Sequence, residues 1–130
     1  MGKKILIIDD DPDIVTFVKT LLEDNGYATV TAGNGKEGLE AVNREKPDLI
    51  CLDITMPEKS GVRFYRDVKE NDALKGIPVV MVTGVSEDFE KFISTRKQVP
   101  PPEGYLDKPV SEETLLKNVR KILEVGGAGA

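Results

Sequence analysis

The sequence predicts an α/β fold: a doubly wound, five-stranded parallel sheet in the order 2-1-3-4-5, with helices on both faces. Three observations predict it. Short apolar runs alternate with segments whose apolar residues recur at helical spacing, in five units along 130 residues. The runs Lys4–Asp9 and Asp48–Asp53 are continuous rather than alternating, which suits strands covered on both faces, as parallel strands are. Parallel neighbours need right-handed crossovers, and the intervening helical segments supply them. The length suits a single domain, since domains commonly run to about 100–150 residues.

The elements follow in order. Lys4–Asp9 is a short apolar run, read as a buried strand. Asp11-Pro12 then offers an N-cap residue and a proline at the first helical position, where a missing N–H costs nothing. Ile14, Phe17, Val18, Leu21 and Leu22 recur at helical spacing until Asn25-Gly26 ends the helix. Tyr27–Ala32 reads as the second strand and Lys36–Lys46 as the second helix, with Leu39 and Val42 inward. Asp48–Asp53 is the third strand, ended by Met56-Pro57 and a polar turn to Gly61. Val62–Asn71 makes a third helix through Val62, Tyr65 and Val68, and Pro78–Thr83 is the fourth strand. Ser86–Lys97 reads as a helix whose Phe89, Phe92 and Ile93 face the core or a partner, interrupted by Pro100-Pro101-Pro102. Gly104–Asp107 is a short fifth strand. Ser111 caps a last helix carrying Leu115, Leu116, Val119, Ile122 and Leu123. The domain is expected to span residues 1–125, with 126–130 a flexible, Gly-rich tail.

Composition narrows the function. The net charge of −5 opposes non-specific nucleic-acid binding, which needs clustered Lys and Arg to displace counterions. The absence of histidine excludes His-based metal sites and a Ser–His–Asp triad. Cys51 is the only cysteine, so an intrachain disulfide is impossible, and its setting in LICLD marks it as a buried apolar residue. No apolar run approaches the roughly 20 residues of a membrane span. The chain enters its first strand without signal-peptide organisation, so a soluble cytoplasmic protein without membrane contact is expected.

The strand ends carry the chemistry. The first strand runs into Asp9 and Asp10, the third ends in Asp53, the fourth in Thr83, and the fifth leads to Lys108. In open α/β sheets, ligands sit beyond the carboxyl ends of the strands, where strand order reverses. With the first and third strands as neighbours, three carboxylates converge in one crevice. Their repulsion calls for a hard divalent cation bound by oxygen. Mg²⁺ fits, because it takes one or two carboxylates and shares its shell with phosphate. A carboxylate in that position is also a nucleophile, and covalent aspartyl phosphate is established enzyme chemistry. Thr83 offers a hydroxyl and Lys108 a cation for phosphoryl oxygens. Asp11 lies beside the cluster, but its place before Pro12 makes it a helix cap.

The segments ILIIDDDPD, LICLDITMPEKSG, PVVMVTG and YLDKP resemble the four signature blocks of response-regulator receiver domains, whose fold is flavodoxin-like. The resemblance runs from Ile5 to about Val125. It implies Asp53 as the phosphoacceptor, Asp10 as a direct Mg²⁺ ligand, Asp9 as one acting mainly through water, and the Thr55 backbone carbonyl as a third protein ligand. It implies Thr83 as the switch hydroxyl, Lys108 as the lysine on the phosphoryl group with a cis bond to Pro109, and Tyr105 as the switch aromatic. Taken alone, Tyr105 also reads as a packing residue. The implied function is signalling: a histidine kinase or phosphotransfer protein phosphorylates Asp53, and the domain then changes its affinity for a downstream protein. It is not a turnover enzyme, since its chemistry is confined to phosphorylation and dephosphorylation of its own Asp53. Direct nucleic-acid binding is not expected, and the implied state is a monomer or a phosphorylation-dependent dimer.

Two features depart from the family pattern. The stretch between Thr83 and Lys108 is longer than usual by a few residues and contains Pro100–Pro102, and Glu103-Gly104 stands where a small Gly-Ala pair is typical. Thr55 and Val85 occupy positions that tune phosphoryl lifetime in the family, and the apolar Val85 points to slow autodephosphorylation. Two other functions compete. A haloacid-dehalogenase-type phosphohydrolase would carry its nucleophile on the first strand with a second Asp two residues on and then Gly and Thr or Val, a continuation that Asp9-Asp10-Asp11-Pro12 lacks. A scaffold that works only by binding is opposed by the complete acidic set. The chain is either a stand-alone receiver or a receiver from a longer protein.

Overall fold

The computed structural model describes residues 3–53, 60–83, 103–107 and 110–128, the side chains of 60, 83, 107 and 125–128 excepted. The chain alternates as β1 (Lys4–Ile8), α1 (Pro12–Asp24), β2 (Ala28–Ala32), α2 (Gly35–Glu45), β3 (Leu49–Asp53), α3 (Ser60–Glu70), β4 (Val79–Thr83), β5 (Gly104–Asp107) and α4 (Glu112–Ala128). All neighbours are parallel, in the order β2-β1-β3-β4-β5. This is the order expected from the βα alternation.

The continuous apolar strands are explained by burial on both faces. Successive side chains point to opposite sides of a sheet. Leu6 and Ile8 of β1, Ile50 and Leu52 of β3, and Val79 and Met81 of β4 face one layer, with Phe64, Tyr65 and Val68 of α3 and Val42 of α2. Ile5, Ile7, Leu49, Cys51, Val80 and Val82 face the other, with Val18 and Leu22 of α1 and Leu115 and Val119 of α4. Ile5, Leu6, Leu49 and Ile50 are fully buried, each contributing about 2 kcal/mol relative to an exposed position.

Helix starts follow the capping chemistry. The Asp11 carboxylate accepts from the Asp13 N–H at 2.9 Å, with Pro12 beginning α1. At α2, Asn34 Oδ1 accepts from the Glu37 N–H at 2.8 Å, and Glu37 Oε1 accepts from the Gly33 N–H at 3.2 Å, a reciprocal cap. That cap starts α2 one residue earlier than the apolar spacing indicates.

Differences from the sequence reading are small. Asp9, Tyr27, Asp48 and Pro78 fall just outside their strands, although the Asp9 N–H still donates to Ala32 O at 3.1 Å. On α3, Phe64 joins Tyr65 and Val68 as a buried residue, while Val62 is only partly buried. The backbone of α4 stays helical to Ala128, inside the segment that the sequence marks as a tail. Extending a helix already nucleated by packed turns adds one bond per residue fixed, so helix can continue where a new one would not start. The helix expected over Ser86–Lys97, with its Phe89, Phe92 and Ile93, lies outside the described residues.

Candidate functional site

Side-chain alternation puts the acidic residues where they are. Asp9 continues the row Ile5–Ile7 and Asp53 the row Leu49–Cys51, so both carboxylates emerge on the α1/α4 side of adjacent strands. β1 and β3 pair with Ile8 opposite Leu52, which brings the residues after each to the same level. One oxygen from each of Asp9, Asp10 and Asp53 lies within 4.8 Å of the others. Asp53 is 2% exposed and Asp9 5%, whereas Asp10 is open to solvent. This is the point between β1 and β3 where strand order reverses, with β2 on one side and β4 on the other.

Asp9 is held in place from its own loop. Its Oδ1 accepts from the Asp11 N–H at 2.9 Å. Asp11 itself is committed to capping α1, which is the assignment its place before Pro12 indicates. A partly open apolar cavity of about 110 Å³ lies against Asp9 and Asp53, walled by Ile14, Phe17, Cys51, Val110 and Leu115. Burial pushes the Cys51 thiol up to about 12 from 9.0, so it is a neutral wall and not a ligand.

The donor set fits a hard cation. It is oxygen-only, and two of its three carboxylates are buried side by side, an arrangement whose repulsion a divalent ion relieves. Imidazole and thiolate ligands are not on offer among the described residues, because the chain has no histidine and Cys51 holds its proton.

Of the other residues singled out in the sequence, Thr83 ends β4 one position beyond Val82, which pairs with Asp53. Tyr105 pairs with Met81 on β5, half-buried against the α2/α3 layer. Thr55, Val85, Lys108 and Pro109 lie outside the described residues. The structure also reveals a buried charge that helical periodicity did not mark, Lys69. Its neighbourhood in the sequence carries no motif, so only packing discloses it.

These features define a class: an open, doubly wound parallel sheet with an acidic, cation-accepting crevice at the carboxyl end of its first and third strands. The model of the response regulator receiver domain family matches residues 5–120, and the chain belongs to that family. PilH of Pseudomonas aeruginosa is 35% identical over 120 residues, covering 92% of this chain and 97% of that protein. The alkaline phosphatase synthesis transcriptional regulatory protein PhoP of Bacillus subtilis is 34% identical over 123 residues, 95% of this chain and 49% of that protein. The chain thus spans nearly all of one relative and about half of the other. Among solved structures, a CheY-like response regulator receiver domain protein from Methanospirillum hungatei is 28% identical and superposes with a TM-score of 0.85, covering 100% of both chains. Receiver domains are phosphoacceptor modules of two-component signalling that take Mg²⁺ at an acidic pocket and work with histidine kinases or phosphotransfer proteins. Among the described residues, no helix is long and apolar enough to cross a membrane.

Proposed function

We propose that Asp53 is the phosphoacceptor of this receiver. The observation that carries the reading is the convergence of Asp9, Asp10 and Asp53 within 4.8 Å, with Asp53 at 2% exposure on the end of a central strand. Asp10, exposed and next to the strand end, serves as the direct metal ligand, and Asp9, already tied to the Asp11 N–H, acts mainly through water. The Thr55 carbonyl completes the protein ligands. Mg²⁺, when bound, offsets the negative charge of the carboxylates and of an incoming phosphoryl group.

The step is a displacement at phosphorus. A carboxylate oxygen of Asp53 forms the P–O bond as the donor's P–N bond to histidine breaks. The electron pair leaves with the imidazole nitrogen, which takes up a proton. Lys108 and the Thr83 hydroxyl bind the transferred oxygens, and Tyr105 follows Thr83 as the switch aromatic. The apolar Val85 hinders the attacking water, which gives a long-lived acyl phosphate. The chemistry stays on the protein's own Asp53, and the output is altered affinity for a downstream protein. The receiver occupies residues 1–125, acts in the cytoplasm as a monomer or a phosphorylation-dependent dimer, and touches nucleic acid only through partners.

Intact mass after incubation with acetyl phosphate and Mg²⁺ tests this. The wild type is expected to gain one phosphoryl group, and Asp53→Asn or the omission of Mg²⁺ to abolish the gain. Full labelling of Asp53→Asn would remove the assignment.

A further inference from the structure

We propose that Glu103 and Lys69 form a positioning pair that sets the register of β5 on β4, and so fixes where Tyr105 and the segment leading to Lys108 are presented. The proposal rests on the phosphoacceptor reading of Asp53.

Lys69 lies near the end of α3 with its side chain 2% exposed. A buried ammonium needs partners for its three donors. Nζ lies 3.0 Å from Glu103 Oε1 and 3.4 Å from each of the Lys75 and Ile77 carbonyls. The Tyr65 ring adds a face 5.6 Å from Nζ. Lys69 therefore ties the end of α3 and the turn before β4 to Glu103.

Glu103 in turn holds both backbone groups of the first residue of β4. Its Oε2 accepts from the Val79 N–H at 2.7 Å, and its own N–H donates to Val79 O at 3.0 Å. The residues before it are Pro100–Pro102, which bring no N–H to a strand ladder. A side-chain carboxylate thus does the work of a backbone acceptor, and the pairs Val80↔Gly104, Met81↔Tyr105 and Thr83↔Asp107 follow in step.

The register matters because β5 has only four residues and opens on a glycine. Such strands specify their pairing weakly, and a slip of one residue turns every side chain to the opposite face. Tyr105 would then leave the α2/α3 layer. Glu103-Gly104, where Gly-Ala is typical of receivers, is on this account a substitute anchor for a strand entered through prolines.

The test uses the full chain as wild type, Glu103→Ala, Glu103→Gln and Lys69→Met/Glu103→Gln. Glu103→Ala removes both the carboxylate clamp and the ion pair, whereas Glu103→Gln keeps an acceptor for Val79. Amide hydrogen exchange at Val79–Thr83 and Tyr105–Asp107 is read together with Mg²⁺ affinity and the initial rate of phosphoryl uptake from acetyl phosphate. Glu103→Ala is expected to raise exchange along β4–β5 and slow uptake roughly tenfold, as misplacement of groups around a reacting centre does, with Mg²⁺ affinity unchanged. The double variant is expected to unfold at a higher temperature than Glu103→Gln, because it leaves no buried cation without a counter-charge. If Glu103→Ala does not fold, Glu103→Gln carries the test with a smaller slowing of uptake. Unchanged exchange, or raised exchange with wild-type uptake, would overturn the proposal while leaving Asp53 as phosphoacceptor. No uptake by the wild type would remove the Asp53 reading, and the positioning role with it.

Discussion

Cys51 and Asp53 sit two positions apart on one face of β3, and their surroundings give them opposite chemistry. Cys51 is enclosed by apolar walls that hold its thiol at about 12, while Asp53 stands beside two other carboxylates at the strand end. The folded chain keeps the Cys51 proton between its ordinary 9.0 and about 12, where the unfolded chain loses it. The stability from this group is therefore complete below pH 9.0 and is lost as pH rises towards about 12. Alkylation of the native protein by iodoacetamide at pH 8 should proceed only through opening, and urea should accelerate it in parallel with unfolding. Rapid native alkylation would show Cys51 to be accessible. Asp11, one residue from the cluster, differs again. Asp11→Ala should cost about 1 kcal/mol in urea unfolding through the lost cap, and change Mg²⁺ affinity far less than Asp10→Asn does.

At the scale of elements, α2 and α3 pack over the same face of the sheet, and Gly38 of α2 lies close against Ile8 of β1 and Phe64 of α3. A Cβ at Gly38 would stand 2.7 Å from Ile8 Cδ1 and 3.2 Å from the Phe64 ring. Ile8 and Phe64 are each 1% exposed and have little room to move. In an exposed helix, Gly→Ala gains about 1 kcal/mol, whereas overpacking a tight core costs about 1–3 kcal/mol. Gly38→Ala should therefore destabilise by about 1 kcal/mol in chemical unfolding, despite the better helix former. A gain would mean that the α2–α3 interface yields more easily than its burial indicates.

For the whole molecule, folding itself gathers the charges of the crevice. Asp9 follows β1 and Asp53 ends β3, with α1, β2 and α2 between them in the chain, and no local segment holds them together. A divalent cation bound among them lowers their mutual repulsion in the native state only. Mg²⁺ should then raise the thermal midpoint by mass action, with about 2.7 kcal/mol of stabilisation at a hundredfold excess over Kd. Calorimetry with and without EDTA checks this. Asp53→Asn should shrink the response to Mg²⁺, since it removes one of the charges that attract the cation.

By itself, the sequence determined the alternation of strands and helices, the doubly wound sheet and the residues that end each strand. Periodicity, caps and strand-end motifs are local, and locally they are unambiguous: Asp11-Pro12 starts α1, and LICLD is a buried strand ending in a carboxylate. Only the tertiary structure decided that Asp9, Asp10 and Asp53 share a space 4.8 Å across, that an apolar cavity lies against them, and that Lys69 is buried against Glu103. Those facts depend on contacts between residues far apart in the chain, 34 positions for Lys69 and Glu103. On a helix surface, Lys69 looks like any solvated lysine, and no spacing rule reaches the carboxylate that neutralises it. The difference is physical: hydrogen-bonded elements are specified within a few residues, whereas burial and charge pairing exist only once the layers have packed.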